Sequence, residues 1–233
     1  MTTLELLNLD FVRVTLVACA LLGVLSGVMA PLVVLRQMSF SVHATSELAL
    51  MGASAALLFG LNVGAGAIAG AVVAALVLAA LGLKGQQDSA VGVVMSFGMG
   101  LSVLFIHLYP GNSGRALSLL TGQIVGVNGQ DLWLLGLTTA VVVVAVAACW
   151  RPLLFASADP EMAAASGVPV RAMAFLFAVL VGVASAQSVQ IVGALLVMSL
   201  LITPGAAAAQ ITASPRRAVV YSVVFAELSA VGG

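Results

Sequence analysis

Long apolar runs alternate along the chain with short polar breaks. Eight of the runs read as helices, over residues 12–35, 42–59, 61–82, 89–108, 131–154, 170–186, 190–211 and 216–231. Most approach the roughly 20 residues that carry a helix across a ~30 Å hydrocarbon core. The breaks hold turn residues or charge: Arg36-Gln37, Lys84-Gly85-Gln86-Gln87-Asp88, Pro110-Gly111-Asn112 and Ser214-Pro215-Arg216-Arg217. Little more than Gly60 and Asn62 separates the second run from the third, which predicts a tight helical hairpin. The last run ends at Gly232-Gly233 and is short for a span. It reads as an early chain end or as a short, partly interfacial helix.

Composition sharpens this picture. The chain is 62% hydrophobic and 7% charged, with a mean hydropathy of +1.23. A soluble domain carries about 25% charged residues. The reading is an all-α, polytopic helical membrane protein of about eight transmembrane helices, residues 1–233 forming one transmembrane domain. The net charge is zero, so nothing points to nucleic acid. Cys19 and Cys149 sit in separate apolar runs and read as small buried hydrophobes. The N-terminal residues are acidic and precede no small-residue cleavage site, so the first run is expected to stay as a membrane helix.

Basic residues orient the chain. Arg36, Lys84, Arg151, Arg171, Arg216 and Arg217 fall in alternate loops and hence on one side, against Arg13 and Arg115 on the other. The positive side faces the cytoplasm, which places both termini outside. Gly23 with Gly27, and Gly66 with Gly70, have the spacing that lets helices approach closely in lipid. Packing inside the chain is the simpler use, and a dimer seam is the other.

The loop over residues 155–169 contains local structure. Asp159 suits an N-cap, Pro160 the first helical position, and Glu161 the positive end of the helix dipole. Met162 to Ser166 continue a short helix, Gly167 suits its C-terminal cap, and Pro169 can open the next one. A helix of about two turns on the cytoplasmic side is either an interfacial loop element or a docking helix whose Met162 and alanines fill a partner's groove.

His43 and Glu47 stand four residues apart within an apolar run. That spacing puts both on one helix face. Counted from Arg36, they lie roughly 10 and 17 Å deep in a ~30 Å core. Imidazole and carboxylate can together bind a divalent transition ion. Two ligands do not close a tetrahedral site, and a second copy across a two-fold axis would bring four. The alternative is that the two simply pair with each other. Glu227 and Gln190 are further pathway candidates, with an internal hydrogen bond and an ordinary loop position as their plainer readings; Gln187 stands beside Gln190 where spans six and seven meet outside. His107 reads as interfacial and Asp88 as a cap or loop charge. The sequence has no phosphate-binding GxxxxGK[ST], no HExxH and no GxSxG.

Five stretches in order carry a family resemblance: VVLRQMSF, SAVGVVMSFGMGLSVLFI, LLTGQIVGVNGQDLWLL, SADPEMAAASGVPV and VQIVGALLVMSLLITPGAAAAQIT, with Pro204 inside the last. Together they resemble the permease subunit of manganese/zinc/iron-type ABC importers, almost end to end. The resemblance implies a homodimeric or sometimes heterodimeric core in a bacterial cell membrane. A separate cytoplasmic ATP-binding subunit would dock at a coupling element comprising Asp159, Pro160, Glu161, Ala163 and Gly167. An extracytoplasmic metal-binding lipoprotein would deliver the ion, and ATP hydrolysis in the partner would drive alternating access. The metal would be cargo, with no permanently bound cofactor and no catalytic residues in this chain. The sequence departs from the family at one place. Members carry Asp then His where this chain has His43 then Glu47, and Pro-Gly where it has Met51-Gly52. Both ligand types are kept in swapped order, which leaves open which metal is carried and whether the cargo is a bare ion. Members also extend some tens of residues past the position of Gly233. A proton-coupled secondary transporter, with His43 and Glu47 as relay groups, is the alternative of a different class.

Overall fold

A computed structural model describes residues 10–82, 87–111 and 129–232, with residues 114, 118, 119, 121 and 122 between the last two segments. Lys84, Asn112, Arg115 and Gly233 lie outside the described residues, as does the side chain of Asp88. The described residues are helical throughout, joined by short turns. We number the helices in chain order: α1 Asp10–Leu35, α2 Ser39–Leu58, α3 Val63–Gly82, α4 Gln87–Leu108, α5 Gly129–Ala148, α6 Trp150–Ala158, α7 Pro160–Ala165, α8 Val170–Val192, α9 Ala194–Ile211 and α10 Pro215–Gly232.

Five of these are long and apolar enough to cross a membrane: α1, α3, α4, α5 and α8. In α9 the apolar stretch is shorter, Leu196–Ile211. The composition of α2 and α10 explains why they stand apart. His43, Glu47 and several hydroxyl residues interrupt α2, and Arg216, Arg217 and Glu227 interrupt α10.

Helix α2 is the most enclosed element, with 13 of its 20 residues buried. It packs against α3, α4, α8 and α9, while α10 packs against α1 and α9. The main core lies where α1, α2, α3 and α8 meet, around Met29, Leu32, Val42, Leu50 and Phe177. Apolar residues on the outer faces of α4 and α5, such as Phe97 and Trp133, are exposed, as lipid-facing residues would be.

The expected hairpin of the second and third segments is present, turning at Gly60 with φ 70°. Its seam is glycine on glycine. A Cβ at Gly52 would meet the carbonyl oxygen of Gly66, and one at Gly66 would meet Ala56 and the carbonyl of Gly52. Across the molecule, Gly23 lies against Glu227 and Gly27 against Val223. Both glycine pairs thus serve packing inside one chain. Gly205 of α9 meets the backbone of Ala30 and Pro31 in α1, where the Pro31 turn of α1 approaches the Pro204 turn of α9.

Two boundaries differ from those expected. The run over 131–154 is not one helix: α5 ends at Ala148 and α6 starts at Trp150. Pro152 accounts for this, since it cannot donate to the carbonyl of Ala148 and its ring would clash there. The runs over 170–186 and 190–211 meet later than expected, because α8 continues to Val192. The break falls at Gly193, with φ 80° and ψ 161°, a conformation open essentially to glycine alone. Gln187 and Gln190 are therefore helical residues of α8, not loop groups.

The α2–α3 seam gives a direct test. Gly66→Val should cost about 1–3 kcal/mol by overpacking and lower the thermal midpoint in detergent by several degrees. Gly92, on an open face of α4, has nothing within 4 Å of an added Cβ. Gly92→Val should leave the midpoint unchanged within error, and equal losses at both positions would contradict the packing account.

Candidate functional site

Helix α2 places His43 and Glu47 one turn apart. Glu47 is 4% exposed. His43 is half-buried, and its Nδ1 is enclosed without a hydrogen-bond partner. The hydroxyls nearby bond mainly to helix backbone. Ser46 Oγ donates to the His43 carbonyl at 2.7 Å. Ser102 Oγ, from α4, donates to Gly98 at 2.7 Å and reaches the Glu47 carbonyl at 3.5 Å. Thr45 Oγ1 donates to the Val42 carbonyl at 2.8 Å. Its contact with Ser185 Oγ of α8, at 3.2 Å, then takes Ser185 as donor. Most of the local hydroxyl protons are thereby used on carbonyls. The Ser46 and Ser102 contacts reach the backbone carbonyls of His43 and Glu47, not their side chains.

Among the described residues, no group of three or more His, Cys, Asp or Glu side chains is gathered closely enough to hold a metal. Among the described residues, His43 and Glu47 thus bring one imidazole and one carboxylate to a single helix face.

The other candidates lie apart from this pair. Glu227 faces Gly23 across the α1–α10 seam, and one of its carboxylate oxygens is enclosed without a partner. Gln190 sits at the far end of α8, beyond Ser185 by five residues or roughly 7 Å along the helix. Its Nε2 donates to the Ala186 carbonyl at 3.4 Å, and its oxygen lies against Gly64 near Asn62. Gln187 is more deeply enclosed, 2% exposed with Nε2 unpartnered. His107 is exposed in the last turn of α4. Cys19 and Cys149 are free thiols.

The loop helix forms as its sequence dictates. Asp159 Oδ1 accepts from the Met162 amide at 2.9 Å, and Pro160 opens α7 with Glu161 in its first turn. At the other end Gly167 takes φ 82°, with its amide donating to Ala164 at 3.1 Å and that of Val168 to Ala163 at 3.0 Å. This is a helix closed by a left-handed glycine. Met162 is 57% exposed, and Ala164 and Ala165 are exposed with it. Ala163 is fully buried, so it seats α7 on its own chain and presents nothing to a partner.

Two features escape a linear reading. Ser185 gives no local sign that it meets Thr45. Arg36, conspicuous in sequence only as a charge that sets orientation, is half-buried among α1, α6 and α8.

Comparison with known proteins follows the same lines. The model of the ABC 3 transport family matches residues 8–233. The manganese transport system membrane protein MntC of Halalkalibacterium halodurans is 30% identical over 232 residues, 98% of this chain and 79% of that protein. The high-affinity zinc uptake system membrane protein ZnuB of Haemophilus influenzae is 27% identical over 215 residues, covering 90% and 82%. Among solved structures, PsaBC from Streptococcus pneumoniae in complex with Fab superposes with a TM-score of 0.86 at 26% identity, covering 97% of this chain and 82% of that one. An inward-facing structure of another ABC transporter shares the fold, with a TM-score of 0.73 at 16% identity, covering 94% of this chain and 75% of that one. The chain belongs to the ABC 3 transport family and is a multi-pass bacterial membrane permease.

Proposed function

We propose that this chain forms half of the transmembrane core of an ABC importer for a divalent transition metal: manganese, zinc or iron. The reading rests on His43 and Glu47, an imidazole and a carboxylate one turn apart on the most enclosed helix. Relatives named for manganese and zinc transport support it. In this reading α2, α9 and α10 join the five apolar helices as spans, and both termini lie outside. Arg36, Arg151, Arg171, Arg216 and Arg217 then share the cytoplasmic side. Two copies facing across a two-fold axis supply four ligands in place of two. An extracytoplasmic metal-binding lipoprotein delivers the ion, and a cytoplasmic ATP-binding subunit docks on α7 and drives alternating access. Gln190 and Glu227 are assigned to the outer approach and to the α1–α10 seam.

Elemental analysis of cells expressing the intact transporter tests the cargo, with manganese, zinc and iron limiting in turn. One metal should accumulate in wild type. His43→Ala and Glu47→Gln should each cut that accumulation at least about tenfold while leaving assembly intact. A metal response untouched by either substitution would leave the pair structural, and no response to any metal would remove the metal reading.

Docking is tested separately. Asp159→Ala removes an N-cap worth about 1 kcal/mol, and Gly167→Leu forces a side chain into the left-handed region at about 1–2 kcal/mol. Both should weaken capture of the ATP-binding subunit in pull-downs and leave metal binding unchanged. Undiminished capture by both variants would exclude α7 as the docking element.

A further inference from the structure

Arg36 occupies the turn between α1 and α2, three residues before α2 starts. Its Nε donates to Ser157 Oγ of α6 at 2.6 Å, and its Nη2 reaches the Leu153 carbonyl, one turn earlier, at 3.5 Å. Ser157 Oγ itself donates to the Leu153 carbonyl at 2.5 Å. The serine proton is thus committed to the helix, and its lone pair is left to receive the guanidinium. The flat face of Arg36 covers the ring of Phe177 in α8, with 4.3 Å from Cζ to the centroid. One side chain therefore joins α1, α6 and α8 at a single point.

The chemistry of the link is unusual for a buried cation. A hydroxyl, a carbonyl and an aromatic face hold it, with no carboxylate among those contacts. Burial pulls the guanidinium down to about 10, which keeps it charged at neutral pH. No carboxylate holds it, so the link does not carry the cost of an ion pair broken in the interior. Only arginine offers a planar fork for two acceptors together with a face for the ring; lysine cannot make all three contacts at once.

The position matters more than the strength. Ser157 is two residues from Asp159, the N-cap of α7. Arg36 is joined through a three-residue turn to α2, which carries His43 and Glu47. That turn is closed by the Met38 amide donating to the Val33 carbonyl at 3.1 Å, and Gln37 within it holds φ 54°. Phe177 lies two turns before Ser185, whose hydroxyl meets Thr45 between His43 and Glu47. Arg36 therefore gives a displacement of α6 and α7 two short routes to α2, beside the direct packing of α6 and α7 on α8.

We propose that Arg36 is a positioning residue that couples the ATPase-facing helix α7 to helix α2, so that the two move as one body during the transport cycle. The proposal rests on the importer reading above, and its test is arranged to separate the two. The complex with its ATP-binding subunit is prepared in a Cys19→Ala, Cys149→Ala background and spin-labelled at Ala158→Cys, at the end of α6 beside α7, and Phe40→Cys on α2, both exposed positions. Wild-type Arg36 should give one narrow label-to-label distance with and without ATP. Arg36→Gln and Arg36→Lys should broaden the distribution about twofold or more. In proteoliposomes the same variants should keep ATPase association and hydrolysis within about threefold of wild type and lose about tenfold in metal moved per ATP. Ser157→Ala removes only the acceptor and should lie between, about threefold, which keeps the test available should Arg36→Gln fail to assemble.

An unchanged distance distribution in Arg36→Lys and Ser157→Ala would overturn the proposal whatever the cargo is. Parallel loss of hydrolysis and transport, at constant metal per ATP, would overturn it too. Absence of metal uptake in wild type would strike the cargo reading alone, and the distance measurement would still decide the role of Arg36.

Discussion

Keeping a carboxylate-bearing helix out of lipid is the constraint around which this fold is organised. A charged or strongly polar side chain at the membrane centre is expensive unless it faces protein or water. Helix α2 carries His43 and Glu47 together with Ser41, Thr45, Ser46 and Ser54, and so cannot serve as an outer wall. It is enclosed by α3, α4, α8 and α9, whose outer faces take the apolar load. The glycine seam with α3 serves this enclosure. It brings the α2 and α3 backbones into contact at Gly52 and Gly66, on the side of α2 away from His43 and Glu47. The hydroxyls add little polarity of their own, because Thr45, Ser46 and Ser54 donate to carbonyls within α2.

That arrangement also explains which boundaries were legible in sequence. Where a break is made by local backbone chemistry, as at Gly60 or over Asp159 to Gly167, residue type and spacing were enough. Asp159 and Gly167 bond to amides and carbonyls within a few residues, so their roles need no tertiary partner. The misplaced boundaries came from reading polarity as a stop signal. Gln187 and Ser188 look like the end of a span, yet amide and hydroxyl side chains do not end a helix that is packed on all sides. Gly193 ends it, through a backbone conformation that other residues avoid. Likewise the apolar run past Ala148 hides a break that Pro152 imposes.

The candidate site was legible in part for a related reason. His43 and Glu47 share one helix face by arithmetic, so their pairing can be read without a structure. What surrounds them cannot be. Thr45 and Ser185 are 140 residues apart, and Arg36 and Ser157 are 121 apart. No periodicity links such positions. Glu227 illustrates the opposite limit. Its place in an apolar run was readable, but the structure leaves it half-buried, and only the packing of α10 on α1 and α9 separates it from the pair on α2.

If His43 and Glu47 bind the cargo as proposed, a set of two ligands among the described residues bears on what such a site can do. A structural metal centre is closed, with four protein ligands whose binding energy is folding energy. A transport site has to take the ion from one side and release it to the other, so binding must be firm enough to enter and weak enough to leave. One imidazole and one carboxylate on a single rigid helix satisfy that requirement better than a gathered cluster of three or four would. They leave the remaining positions to water or to a second copy, and those are the ligands that a rocking motion of two helices can remove. On the proposed reading α2 would carry both ligands on one continuous helix, so tilting it would move them together and change their relation to whatever completes the site. On that reading the polar pair and the enclosed helix that bears it would be parts of one device.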